Sequence, residues 1–180
     1  CEHINLPFQA GDDKILEQMR RGYTNSEYRN LIEKIRARIP GVSLSTDLIV
    51  GFCGESDKQF ANTLKMIKDV KFDKIHSAAY SDRPGTIAHR KMVDDVPEDV
   101  KKERLKIINS EQENIATELN NKFKGRCEEV LVEDTKKGRW FGRNRNDKLV
   151  FFDSEETFAG EVVKVNIEDT SPWFLEGSKA

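Results

Sequence analysis

Three glycine-punctuated stretches carry the residue types that could do chemistry. Ser43 to Glu55 reads S-L-S-T-D-L-I-V-G-F-C-G-E, an apolar, β-branched run that enters a turn and is followed by a helical pattern. Such a strand–turn–helix passage presents backbone and polar groups to a phosphate or cofactor. Ile4 to Gly11 (I-N-L-P-F-Q-A-G) and Ile75 to Gly85 (I-H-S-A-A-Y-S-D-R-P-G) have the same character. Polar and glycine residues at the C-terminal ends of successive parallel strands mark the face where α/β barrels place their sites. Gln9 offers an amide there, suited to a ribose or carboxylate, although a strand-end Gln is more often simply solvated. Asp47 lies between Thr46 and Leu48 in an apolar strand, where a carboxylate needs a partner or a ligand. Gly51 and Gly54 permit close backbone approach or a plain turn. Arg83 can grip an anion or simply meet solvent. His3 reads as structural, and Cys53 has no basic neighbour in sequence to activate it.

A second cluster lies near the C-terminus. Lys136, Lys137, Arg139, Arg143, Arg145 and Lys148 crowd into one hairpin with Trp140 and Phe141 among them, and Asp147 is the acidic residue there. Cations neutralise phosphates and aromatic rings stack on bases, so this segment reads as an RNA-binding face. The plain alternative is a solvated hairpin with core aromatics.

The elements that position these groups follow from periodicity. Residues 3–9 predict a strand and 12–20 a short helix. Thr24 and Glu27 form a capping box for a helix bearing Tyr28, Leu31, Ile32 and Ile35, which stops at Ile39-Pro40-Gly41. Val42–Val50 is a strand, Ser56 caps the next helix, and Phe72–Tyr80 is a third strand; 81–97 reads as loop. The order β-α-α-β-α-β argues for parallel strands with helical crossovers, half of a barrel rather than a closed one. One long charged helix follows over about 97–123. Beyond it the pattern becomes five short strands, Cys127–Val132, Arg139–Arg143, Leu149–Phe152, Glu161–Ile167 and Trp173–Leu175, as in a small OB-like β-barrel. The predicted architecture is therefore α/β over 1–123 and all-β over 124–180.

Composition narrows the function classes. Charged residues are 34% of the 180 and the formal net charge is −2, so bulk charge makes no case for nucleic acid or membrane. No apolar run approaches the roughly 20 residues of a membrane helix, and no signal peptide is visible. Cys1, Cys53 and Cys127 are too far apart for a C-x-x-C metal site or a disulfide framework, which fits a reducing, cytoplasmic setting. The chain opens at Cys1, almost inside a strand, and is expected to be part of a longer polypeptide.

Together, C-E-H-I-N-L-P-F-Q-A-G-D-D (1–13), R-R-G-Y-T (20–24), S-T-D-L-I-V-G-F-C-G-E (45–55), Y-S-D-R-P-G-T (80–86) and G-R-N-R-N-D-K-L-V-F (142–151) resemble the methylthiotransferases of the radical S-adenosylmethionine superfamily, most closely the tRNA-modifying type. The resemblance covers essentially the whole chain. It implies the second half of a radical SAM α/β (partial TIM-like) barrel followed by a TRAM domain, without the C-x-x-x-C-x-x-C cluster motif and the N-terminal cluster domain of such enzymes. It implies an enzyme that adds a methylthio group to C2 of N6-isopentenyladenosine beside the tRNA anticodon. One S-adenosylmethionine would give the radical and another the methyl group. The [4Fe-4S] cluster ligands would lie outside this chain, which would be inactive alone. By resemblance Gln9 holds the cofactor ribose, Ser45 to Gly51 with Asp47 lies along the adenosine, Tyr80 offers backbone to adenine, and Arg83 stands at the mouth. tRNA would meet Lys136, Lys137, Arg139, Phe141, Arg143, Arg145 and Lys148. The sequence departs from the family at Cys53, where proline is usual, and at Ala10, where a serine is usual. Two other readings stay open: an enzyme acting on a ribosomal-protein aspartate, and a non-catalytic RNA-binding module.

Overall fold

The computed structural model describes residues 1–180 and divides into two compact units. The first to be described comprises Asn5–Pro40 and Leu44–Gln112. Its elements are the end of β1 (His3–Asn5), α1 (Asp13–Gln18), α2 (Asn25–Arg38), nearly all of β2 (Ser43–Val50), α3 (Asp57–Val70), β3 (Lys74–Ala79), α4 (Ile87–Lys91) and most of α5 (Glu98–Asn120). The strands form a sheet in the order β1-β2-β3. β2 and β3 run parallel, in register from Ser45 opposite Lys74 to Val50 opposite Ala79. Gln9 bridges Leu48 in the same parallel sense, which extends the first edge beyond β1.

Local chemistry sets the helix starts. Asp12 accepts the Lys14 and Ile15 N–H groups at the start of α1. Thr24–Glu27 and Ser56–Gln59 close capping boxes on α2 and α3. On β2, Leu44, Thr46, Leu48 and Val50 are buried on one face. Phe8 stacks on Phe72 at 5.6 Å and meets Tyr28 at 5.8 Å in that core. The alternate residues Ser45, Asp47 and Ile49 point to the other face, as strand period requires. The segment 81–97, read from sequence as loop, contains α4; Thr86 caps it by accepting the His89 N–H. Pro84 and Gly85 masked that short helix in the sequence pattern.

The second unit comprises Cys1–Ile4, Gly41–Ser43 and Glu113–Ala180. After a 3-10 turn at Asn121–Phe123 come β4 (Cys127–Lys136), β5 (Arg139–Asn144), β6 (Leu149–Asp153), β7 (Val162–Thr170) and β8 (Leu175–Lys179). They close into a barrel in the order β4-β5-β6-β8-β7, with β6 and β8 parallel and the other pairs antiparallel. Val130, Val132, Val150, Phe152, Val165, Ile167 and Leu175 fill it. Lys137 and Gly138 both have positive φ in the β4–β5 turn, the geometry of a two-residue hairpin. The last strand begins at Leu175 rather than Trp173. The Ser171 hydroxyl accepts the Trp173 and Phe174 N–H groups, holding those residues in a turn.

Candidate cofactor cleft and nucleic-acid interface

In the α/β unit, the C-terminal ends of β2 and β3 border a cleft of about 360 Å³. Ile49, Phe52, Ala78 and Ala79 give it apolar walls, and Tyr80, Ser81 and Arg83 line it from the chain after β3. The end of α1 contributes Gln18, Met19, Arg20 and Arg21. Of the residues singled out by sequence, Tyr80 and Arg83 thus reach the cleft directly.

Gln9, Ser45, Asp47 and Gly51 do not line it. Gln9 adopts φ 66°, a left-handed conformation uncommon for a side-chain-bearing residue. Its backbone N–H donates to the Asp47 carbonyl and its carbonyl accepts from Ile49, which locks it beside β2. The residue is 8% exposed, and its side-chain amide has no partner in the protein. Ser45 and Asp47 are tied together through Asn5: the Ser45 hydroxyl donates to Asn5 Oδ1 (2.8 Å) and Asn5 Nδ2 donates to Asp47 Oδ2 (3.2 Å). That answers the carboxylate's need for a partner without a ligand. Gly51 has φ 69°, its N–H donates to Glu55 Oε2, and a Cβ there would lie 2.4 Å from Lys101 Cγ. The close approach that demands glycine is therefore made by Lys101.

Sequence reasoning missed the groups that hold this turn. Lys101 is 1% exposed; its ammonium donates to Asp94 (2.7 Å), Glu98 (3.0 Å) and the Tyr80 carbonyl (3.2 Å). Tyr80 N–H donates to the Val50 carbonyl, so both backbone groups of Tyr80 are engaged within the protein. Arg104 donates to Glu55 and Asp57 at 2.8 Å each. Burial pushes the Glu55 carboxyl above its ordinary value, against the pull of the Gly51 N–H and Arg104. Burial likewise raises Tyr80 to about 12, with the Cys53 thiol beside it, and raises Cys53. Cys53 is a buried, inert thiol. No group of three or more His, Cys, Asp or Glu side chains is arranged to hold a metal ion.

On the barrel, the basic cluster is not a bare positive patch. Arg139 pairs with Glu176 and Asp153, Arg143 with Glu133 and Asp147, and Arg145 with Glu2 and Glu129. Lys148 is buried. The Asn residues of the R-N-R-N motif build the turn: Asn144 Oδ1 accepts the Asn146 and Lys148 N–H groups, and Asn146 Nδ2 donates to the Glu2 and Gly41 carbonyls. Lys136 and Lys137 are exposed at the hairpin tip. Outward from β5, β6 and the start of β8 stands an aromatic row. Phe141 and Phe151 are 5.9 Å apart, Phe151 and Phe174 meet edge to face at 5.5 Å, and the Arg139 guanidinium lies 5.8 Å from the Phe151 ring. Phe141 is the one member of the row that the sequence picked out. Period-two alternation in L-V-F-F-D also places Phe151 outward, a signal available in the sequence. Half-buried rings on an outer sheet face can stack unpaired bases.

Comparison with known proteins finds two families along the chain. Residues 1–67 match the radical SAM superfamily and residues 121–180 the TRAM domain. The chain is similar to proteins named tRNA-2-methylthio-N(6)-dimethylallyladenosine synthase. That of Herpetosiphon aurantiacus is 49% identical over 97% of this chain and 41% of its own length. That of Dehalococcoides mccartyi is 48% identical over 98% of this chain and 42% of its own. That of Acetivibrio thermocellus is 45% identical over 99% and 38%. The radical SAM portion with its TRAM domain thus spans about two fifths of the length of these relatives. No helix is long and apolar enough to cross a membrane.

Proposed function

We propose that this chain is the C-terminal portion of a tRNA methylthiotransferase that adds a methylthio group to C2 of N6-isopentenyladenosine beside the anticodon, in the cytoplasm. The observation that carries this reading is identity of 45–49% along nearly the whole chain to synthases named for that product, through both modules in order. The α/β unit would contribute to the S-adenosylmethionine site and the barrel would bind tRNA.

The residues at the strand ends fit that cofactor. The unpartnered Gln9 amide suits a ribose, and the Tyr80 ring and Ile49 suit an adenine. Asp47 and Ser45, joined through Asn5, would stiffen the inner face of β2 along the adenosine. Gly51 would keep the turn in place through Lys101 and Glu55. When bound, S-adenosylmethionine supplies radical-forming and methyl-donating chemistry, with [4Fe-4S] clusters held by cysteines of the N-terminal portion of the polypeptide. The work of this chain is to orient the nucleoside part of the cofactor and to bring RNA to it. On the barrel, Lys136, Lys137 and the Phe141 row are the groups best placed for tRNA, with Arg139, Arg143 and Arg145 exchanging carboxylates for phosphates.

Equilibrium binding of the chain to an anticodon stem–loop, compared with an acidic ribosomal-protein peptide, tests the reading. Salt-sensitive binding of the RNA in preference to the peptide supports it. Preference for the peptide would favour the aspartate-modifying enzyme.

A further inference from the structure

We infer that Arg20, Arg21 and Arg83 form a phosphodiester clamp on the rim of the α/β cleft, which seats a single-stranded segment of RNA over it. The inference rests on the tRNA reading above and deepens it, because it assigns RNA contacts to the α/β unit as well as to the barrel.

All three arginines line the cleft and are exposed, and none makes a side-chain hydrogen bond or ion pair within the protein. The contrast within this chain is sharp. Arg29 is held by Asp69, Arg104 by Glu55 and Asp57, and the three barrel arginines by carboxylates. The carboxylate next to Arg83 in sequence, Asp82, is turned to His89 Nδ1 at 2.5 Å. The cleft rim thus carries unneutralised positive charge in a chain whose net charge is negative.

The end of α1 adds an independent observation. Arg20 N–H donates to the Glu17 carbonyl and Arg21 N–H to the Leu16 carbonyl, the paired bonds of a Schellman cap. The cap's left-handed position is one that glycine fills most readily, yet Arg20 occupies it at φ 58°. A guanidinium is therefore kept at the cleft against the local backbone preference. Beside it, the Gln18 Oε1 is buried without a donor, and Gln18 lines the cleft. An N–H on an entering base would satisfy it.

Charge identifies the class of ligand. S-adenosylmethionine bears a sulfonium, an ammonium and one carboxylate, so its single anionic group does not account for three unpaired guanidiniums on the rim. A sugar–phosphate backbone presents one anion per nucleotide, and guanidiniums match phosphate oxygens in bidentate geometry. An unstacked base can then turn into the mouth of the cleft beside Gln18 while its flanking phosphates stay on the rim.

The test uses the whole chain and a fluorescent anticodon stem–loop across a salt series. Arg20→Gly, Arg21→Gln and Arg83→Gln combined should weaken binding at least about tenfold. The slope of log K against log salt should flatten by about 2, each single-strand phosphate contact being worth about 0.7. Arg20→Gly alone should weaken RNA binding while leaving the melting temperature equal or higher, a combination that a merely structural arginine would not give. RNA affinity within about twofold of the parent in the triple variant overturns the clamp, as does an acidic peptide competing as well as RNA. Loss confined to S-adenosylmethionine binding overturns it as well. If binding falls only when Lys136, Lys137 and Phe151 are changed to Ala, the clamp fails and the tRNA reading stands. If the parent chain binds no RNA, both fail.

Discussion

Gly51 is a conspicuous residue in the S-T-D-L-I-V-G-F-C-G-E motif, and its neighbours account for it. Its left-handed φ and the 2.4 Å at which an added Cβ would meet Lys101 Cγ leave no place for a side chain. Gly51→Ala is expected to lower stability by about 2–4 kcal/mol, from backbone strain plus overpacking, and a urea melt reads it directly. Arg104→Met tests the other support of the same turn. It leaves Glu55 buried without its cation, a change that costs about 3 kcal/mol when the carboxylate is ionised. Glu55 has a raised folded value, so its favourable contribution is present below its ordinary 4.5 and lost as pH rises through the raised value. The deficit of Arg104→Met against the parent should therefore be largest at about pH 8 and smaller at about pH 5. A deficit that grows toward acid would refute this account. Gln9, Asp47, Gly51 and Arg83 could all be picked out from sequence because strand ends, buried-strand carboxylates and glycines leave local signals. The approach of Lys101 to Gly51, the pairing of Arg104 with Glu55 and the Asn5 link from Ser45 to Asp47 could not, since these residues lie some 40 or more positions apart along the chain.

The strands and helices were mostly readable because their signals are local: the capping boxes at Thr24 and Ser56, the parallel order of β2 and β3, and the alternation in β7 all reappear in the structure. The ends of elements were less so. α4 hides behind Pro84 and Gly85, and Ser171 delays β8. The barrel shows a larger gap between pattern and structure. A run of cations in sequence suggested an open positive face, whereas the closed sheet brings Glu128, Glu133, Asp153 and Glu176 from neighbouring strands against that run. Phosphate contact at Arg139, Arg143 or Arg145 must displace an existing carboxylate. Changing Arg139, Arg143 and Arg145 together to Ala is therefore expected to reduce the salt slope by clearly less than the value of about 2 that three free cations would give. Phe151→Ala, by contrast, should weaken RNA binding by about 1–3 kcal/mol with the slope unchanged, because stacking releases no counterions. A Phe151→Ala protein that binds RNA like the parent would remove the aromatic row from the interface.

The two units differ in how they end their sheets. The barrel is closed and leaves no free strand edge, whereas β1 and β3 are the edges of the three-stranded sheet. Residues 124–180 produced alone should give dispersed NMR spectra and a cooperative melt. Residues 1–97 alone should aggregate, and a well-dispersed spectrum from them would contradict that expectation. The central claim is that this chain serves a tRNA methylthiotransferase. The most direct measurement joins it to the cluster-bearing N-terminal portion that the proposal calls for and reconstitutes the clusters without oxygen. Nucleosides from tRNA bearing N6-isopentenyladenosine are then analysed by mass spectrometry. The account predicts the 2-methylthio product, and its loss with Gln9→Ala when RNA binding is unchanged. Unmodified tRNA alongside methylthiolated ribosomal-protein aspartate would contradict it.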